Sequence, residues 1–321
     1  MTDLKGFTSV HSVTLSTDIE DTLVEYFDWG LLNKGNYFNV SLGDTSPSGT
    51  DLSKLRMTEI ASVTDGRVWS GFRQNWVWQS GITTSPSPIV GTNNAIPGVS
   101  GVYVDDVFYP TDTVGTYAHF VDHTNGRIIF DTAIPTGSKV QAEYSYKWIN
   151  VCYAHSVPWI RELQRKTQQP NSTFHTNTSV EWSIPPNGNL QLPAIAVEIV
   201  PRRTFRPYGL GGGQWVYTDV LFHCVAENDG VRNKLMDIVS LQNNKVVEVF
   251  DSNALAASGD FPLGNNGIVN SGAMRYPDLI DNHYGGNIKL TNTYTQEMDE
   301  IKSNIYSAIV RSTTEGVKTN I

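Results

Sequence analysis

Basic residues, cysteine and long apolar runs are all scarce in this 321-residue chain, and each shortage removes a class of function. Lys and Arg number 23 against 32 Asp and Glu, giving a net charge of −9 and a pI near 5.2. A surface of that sign does not attract DNA phosphates or anionic lipid. Charged residues make up only 17% of the chain, where a globular protein ordinarily carries roughly a quarter. The two cysteines, Cys152 and Cys224, lie in apolar strand-like runs. They read as reduced, buried thiols rather than a disulfide framework. No apolar run approaches the ~18 residues of a membrane span, and the opening MTDLKGFTSVHSV lacks the basic-then-apolar pattern of a secretion signal. The triplets NST (171–173) and NTS (177–179) accordingly carry no weight as glycosylation sites.

Gly, Thr, Ser, Asn and aromatics are plentiful instead, with 8 Trp and 14 Tyr. Aromatic and β-branched residues suit strands, and small polar residues suit the loops between them. The expected fold is α+β and β-rich: a mixed or antiparallel sheet with a few covering helices, plus an inserted small β-sandwich or hairpin module.

Three regions follow from the pattern. Residues 1–65 read as an N-terminal arm, an amphipathic helix and the first strand of the core. Thr17-Asp18-Ile19-Glu20 has the form of a capping box, and Ile19, Leu23, Phe27 and Leu31 recur at helical spacing. A helix is expected over 18–33, stopped by Gly35, with Tyr37–Leu42 as a strand entering the sheet. Residues 66–150 hold an aromatic-rich segment and the inserted module, with strand candidates at 101–109, 117–122, 126–130 and 139–148. Asn125-Gly126 marks a hairpin turn, and Val140, Ala142, Tyr144, Tyr146 and Trp148 share one face of the last strand. Residues 151–321 hold a strand–helix–strand core, a long loop at 252–287 and a C-terminal strand near 304–311. The segment VPWIRELQRKTQQ (157–169) fits either a short helix or an extension of the sheet.

The densest structural signals lie between Tyr208 and Asp251. Trp215–Ala226 is apolar on both faces, with Val216, Val220, Phe222 and Cys224 on one and Trp215, Tyr217, Leu221 and Val225 on the other. That is the pattern of a central strand covered on both sides. Asn228 or Asp229 caps a helix at about 230–242 with Val231, Leu235, Ile238 and Leu241 inward, and a strand returns over 245–250. Trp215, Val220, Phe222, Leu235 and Ile238 are the expected core of this unit.

Motifs for chemistry are absent or misplaced. Gly209-Leu210-Gly211-Gly212-Gly213 precedes a strand, whereas a phosphate loop leaves a strand and opens a helix. His119 and His123 stand four apart, but at a strand end and without the Glu that follows the first His in zinc proteases, so they read as surface histidines. His223 and Cys224 alternate to opposite faces of a strand. Asp105-Asp106 and the acids of the N-terminal helix read as a solvated acidic face, with neither a calcium loop nor a defined glycosidase pair. No catalytic residue, metal ligand or cofactor site is assigned, and the expectation is a non-enzymatic protein.

The segment GRVWSGFRQNWVWQSGI (66–82) offers contact chemistry instead. Trp69, Trp76 and Trp78, with Phe72 and Arg73, are candidate anchors of a subunit interface, because Trp and Arg are enriched at such contacts. The same tryptophans, with Trp148, could instead stack on sugar rings.

Two stretches resemble virion proteins of tailed bacteriophages. In DHTNGRIIFDTAIPTGSKVQAEYSYKW (122–148), Asp122, Gly126, Ile128 and Phe130 and then Val140, Ala142, Tyr144 and Tyr146 resemble a β-module of tail and neck proteins. The stretch 208–251 is similar to the strand–helix–strand core of the tail-terminator and neck-protein group, where a helix like 18–33 covers the sheet. The resemblance implies a structural subunit of a homo-oligomeric ring, a hexamer or a dodecamer, at the neck or tail terminus, joining head connector to tail. It also implies other neck and tail proteins as partners, no membrane, and assembly in the host cytoplasm into the virion. Phage DNA would pass without sequence-specific binding, which suits an acidic chain. Loops 43–50, 83–100 and 252–287 would reach neighbours. The other function considered is a glycan- or receptor-binding virion module that uses exposed aromatics.

Overall fold

Helix α1 (Leu15–Leu32) puts Ile19, Leu23, Val24, Phe27 and Leu31 on one buried stripe, the i, i+4 pattern of an amphipathic helix. It belongs to a computed structural model that describes residues 14–60, 63–90, 99–156, 191–208, 213–264, 267–270, 275–302 and 305–318. The segments 1–13 and 157–190, and with them the ambiguous 157–169, lie outside the described residues. The helix begins earlier than the capping box predicts. Thr17 is already inside it, and Asp18 is taken by the Thr14 hydroxyl (3.0 Å) and the backbone N–H of Ser252 (3.0 Å). Its end is the expected one: Gly35, at φ +85°, closes on the Leu32 carbonyl while Asn36 N–H reaches Leu31.

After α1 the chain builds a β-unit of short strands. In order these are β1 (Tyr37–Val40), β2 (Arg56–Met57), β3 (Val68–Ser70), β4 (Gly101–Val104), β5 (Val107–Pro110), β6 (His119–Asp122), β7 (Arg127–Phe130), β8 (Val140–Gln141) and β9 (Tyr144–Lys147). They form the small sheets β1-β9, β2-β3-β7-β6 and β5-β4-β8 around one core that includes Leu55, Ile128, Phe130 and Tyr144. The expected hairpin at Asn125-Gly126 is β6–β7. Asp122 holds its turn by accepting from Asn125 N (3.0 Å) and Arg127 Nε (2.7 Å), and a side chain at Gly126 would strike the Arg73 carbonyl. The strand read as the first of the main core is corrected here: β1 pairs with β9 and so belongs to this unit.

The larger sheet has six strands, ordered β10-β11-β12-β15-β14-β13. They are β10 (Asn150–Tyr153), β11 (Ala194–Tyr208), β12 (Gly213–Ala226), β13 (Val246–Phe250), β14 (Tyr284–Lys302) and β15 (Ile305–Lys318). Only β10–β11 is parallel, and β11–β12 and β14–β15 are long antiparallel hairpins. Helices α2 (Asp229–Ser240), α3 (Ser252–Ser258) and α4 (Tyr276–His283) are the other α-helices of the described residues. Asn228 caps α2 by accepting from Val231 N at 2.8 Å, as expected. The supposed loop 252–287 instead carries α3, capped by Asp251 and ended by Gly259, then α4 and the first residues of β14. The chain is thus a strand-rich α+β protein with a curled mixed sheet.

The curl explains the position of α1, which packs against both edge strands of the sheet, β10 and β13. Its apolar stripe and Leu235 and Val239 of α2 cover one face: Ile195, Val197, Val220, Phe222, Cys224, Val310 and Leu290. Phe27 meets Phe222 edge-on at 5.3 Å. The double covering expected for β12 is corrected. Past its end near Val225, where Ala154 and Leu192 form a small second cluster, the opposite face is left open among the described residues. Of the expected core, Val220, Phe222 and Leu235 are fully buried, whereas Trp215 lies half-buried on the open face and Ile238 is half-buried at the edge of α2. Leu241 is 79% exposed, and Val239 takes the inward place.

Polar contacts join the two units. Asn36 imitates a strand partner for Ile149, donating to its carbonyl (2.8 Å) and accepting from its N–H (2.7 Å). The buried Asp28 of α1 pairs with Lys147 of β9 at 2.6 Å and accepts from Gln79 at 2.8 Å. Glu25 lies one turn back, and burial together with the Asp28 charge pushes its carboxyl up to about 7.

Two predictions follow from this packing. Phe222→Ala should cost about 3–5 kcal/mol of stability in urea unfolding, the usual loss for a buried aromatic; a loss below about 1 kcal/mol would show that the Phe27–Phe222 contact does not hold α1 to the sheet. Because the folded Glu25 carboxyl titrates above its unfolded value, its contribution is fully present near pH 4.5 and is lost as pH rises toward 7. Glu25→Gln should therefore gain in melting temperature relative to the wild type across that window, and a pH-independent difference would contradict this assignment.

Candidate functional site

The aromatic anchors assigned from sequence lie inside the protein. Trp69, Trp76 and Trp78 are 4%, 1% and 3% exposed. Trp76 stacks on Tyr144 at 4.2 Å, and the Tyr144 hydroxyl donates to the Leu52 carbonyl and accepts from Phe72 N–H, both at 3.0 Å. Trp69 Nε1 donates to the Gly66 carbonyl. Phe72 and Arg73 are half-buried, with the guanidinium 5.4 Å from the ring centroid. These residues staple the segment 66–82 to the core of the β-unit, and the tryptophans offer no surface for a partner or a sugar. Trp148 is half-buried beside Lys234.

The surface histidines are also corrected: His119 and His123 are 7% and 3% exposed. His119 Nδ1 bonds the Tyr117 carbonyl at 2.8 Å, and neither ring nitrogen of His123 meets a partner. Burial holds both rings neutral, His123 down to about 4. His223 and Cys224 do point to opposite faces: His223 Nε2 meets Glu198 at 2.7 Å while Cys224 lies in the core. Both cysteines are free, and burial pushes each thiol up to about 12. Among the described residues, no three His, Cys, Asp or Glu side chains are grouped to hold a metal ion, and no helix is long and apolar enough to cross a membrane.

What the fold does present is the open face of the long hairpins. Antiparallel register places Arg206 opposite Trp215 and Trp215 opposite Val317; Thr204 opposite Tyr217 and Tyr217 opposite Glu315; and Asp219 opposite Thr313. Asn292, at φ +51°, makes a bulge in β14 that brings Tyr294 opposite Arg311. A recess of about 390 Å³ lies among these side chains. Arg206 sits 5.2 Å from the centroid of Tyr217. Arg311 pairs with Asp219, which holds the guanidinium charged, and Asp219 also accepts from the Thr313 hydroxyl at 2.9 Å. Tyr294 is 50% exposed and Val317 38%. Trp, Tyr and Arg are the residues that dominate binding energy at protein interfaces, and here they stand on a sheet whose other face is packed against helices.

Alternation along β12 was the available signal for this face. Asp219, and Arg311 opposite Leu221, interrupt an otherwise apolar row, and charges are rarely buried without a partner. Compared with known families and curated proteins, the chain matches no family model and no curated protein. The fold and this surface define a strand-rich α+β chain with one open, aromatic and arginine-bearing sheet face.

Trp76→Ala should cost about 3–5 kcal/mol in urea unfolding, whereas Tyr294→Ser should stay within about 0.5 kcal/mol. The reverse ranking would return the tryptophans to the surface and Tyr294 to the core.

Proposed function

We propose that this chain is a non-enzymatic structural subunit of a tailed-bacteriophage virion, part of a homo-oligomeric ring at the neck or tail terminus that joins head connector to tail. The observation that carries the reading is the hairpin face left open among the described residues: Tyr217, Tyr294, Arg206 and Arg311 on a sheet whose other face is packed against α1 and α2. A sheet with that backing loses little conformational freedom when a neighbour covers it, so the aromatics and arginines yield binding energy at low entropic cost. The resemblance of 122–148 and 208–251 to neck and tail proteins names the class of assembly, and a tail-terminator-like core is the finer architecture that goes with it. Net acidity suits a channel wall past which DNA moves without adhering.

A second reading, a glycan- or receptor-binding virion module, has its own observation. Tyr217 and Tyr294 stand beside Asn292, Asp219 and two arginines in the recess, and ring faces flanked by hydrogen-bonding groups suit a sugar. Light-scattering mass of the full chain and a glycan-binding titration separate the two. The ring reading expects a multiple of six subunits, reduced by Arg311→Glu, and no saturable sugar binding. A monomer at all concentrations that binds sugar saturably would replace it with the second reading.

A further inference from the structure

A second surface lies on the helical side of the large sheet, between the C-terminal halves of α1 and α2. It is a cleft of about 470 Å³ whose walls include Phe27, Leu31, Trp148 and Ile238, with the 79% exposed Leu241 on its lip. Gly30 of α1 faces into it, and a Cβ built there would meet no atom within 4 Å. Glycine within a helix is unfavourable, and at this place its lack of a side chain leaves the cleft open. Lys34 and Lys234 stand at the rim, Lys234 Nζ lying 4.8 Å from the centroid of Trp148. The lining holds these two lysines and no acid, in a chain whose net charge is −9.

The opposite chemistry occurs at the tip of the β4–β5 hairpin. Asp105 and Asp106 form its turn, both in the left-handed region (φ +49° and +67°), and both are exposed. Next to them Val107 and Phe108 are 53% and 43% exposed. Strand β5 is the edge of its sheet, where exposed apolar side chains invite a partner. Lys139 bonds Asp106 through Nζ at 2.7 Å and Asp105 through its backbone N–H at 2.8 Å, which leaves the tip with one net negative charge. From Lys139 the chain runs without a described turn through β8 and β9 to Trp148 at the cleft, roughly 30 Å at the rise of extended chain. No residue of the β4–β5 hairpin is among those lining the cleft, so a copy does not fill its own cleft.

We propose that the β4–β5 tip of one copy seats in the α1–α2 cleft of the next, Val107 and Phe108 entering beside Gly30 and the tip aspartates facing Lys34 and Lys234. The proposal rests on the reading of the chain as a ring subunit and adds to the hairpin face a second contact that assembly also needs. Two different surfaces meet, so the contact is heterologous, the kind that closes into a ring when the rotation per subunit allows. Phe108 and Trp148 are its aromatic anchors, and the exposed charges set orientation and salt dependence more than affinity.

Gly30→Leu tests it, because leucine favours the helix and its Cβ, which meets no atom within 4 Å, carries the rest of the side chain into the cleft. By light scattering at equal concentration, the variant should lose the wild-type assembly and run at monomer mass, with an unchanged or raised melting temperature. An unchanged assembly would overturn the tip-in-cleft contact while leaving the ring reading intact. The second measurement is independent of mass: Phe108→Cys and Leu241→Cys are mixed under mild oxidant. A mixed disulfide dimer that forms faster than with either variant alone, and at least tenfold more slowly once Gly30→Leu is added to the Leu241→Cys partner, supports the contact. No mixed dimer would overturn it. If the wild type is monomeric yet the mixed dimer forms, the contact stands and the stable ring does not.

Discussion

The structure depends on one packing arrangement: a single helix lying across the gap between the two edges of a curled sheet. An open six-stranded sheet leaves two edges and one apolar face to cover, and α1 meets all three requirements together. Its stripe from Ile19 to Leu31 enters the core with Phe222 and Val220. Its flanks meet the edge strands, where the Thr22 hydroxyl accepts from Phe250 N–H at the end of β13 and Glu20 faces His155 beyond β10. Because α1 touches both edges, loosening it would release the edges and the face together, which makes Phe27 and Phe222 more consequential than their area alone suggests.

The same helix carries the second unit. Its last turn passes through Gly35 to Asn36, whose amide pairs with Ile149 as a strand would, and Asp28 binds Lys147 out of solvent. A buried ion pair is weak as a source of stability but intolerant of losing one partner. Here it ties α1 to β9 across the junction of the two units. Glu25, one turn away, stays protonated up to about pH 7, so the junction does not gather a third full charge until the solution is neutral.

Exposure divides the aromatics in a physically consistent way. Trp69 and Trp76 sit in a unit made of strands two to four residues long, where their rings pack with Phe130 and Tyr144 among the valines and isoleucines of its core. The long hairpins have the opposite problem. Helices cover one face, and the other keeps Trp215, Tyr217 and Tyr294 among arginines and an aspartate, amphipathic enough to stay in water and apolar enough to reward a partner. Aromatic content alone does not distinguish the two uses. Burial does: Asp219 and Arg311 share the exposed face with their aromatics, while Trp76 is 1% exposed and stacked on Tyr144.

Much of the fold is legible along the chain. The stripe of α1 and its stop at Gly35, the Asn228 cap of α2, the Asn-Gly hairpin and the existence of strand β12 are local consequences of residue type, and they appear where local physics puts them. Strand β14 was not legible: YGGNIKLTNTYTQEMDEIK is polar because much of it faces solvent, and only its pairing with β15 and β13 makes it a strand. Short α3 and α4 gave too few turns for a period to show. The sequence by itself determined the class, the acidity, the main helices and the presence of interface-grade aromatics. Only the tertiary structure decided which of them meet solvent, because a side chain's exposure depends on which sheet face the distant helices cover, and no local pattern along one strand records that choice.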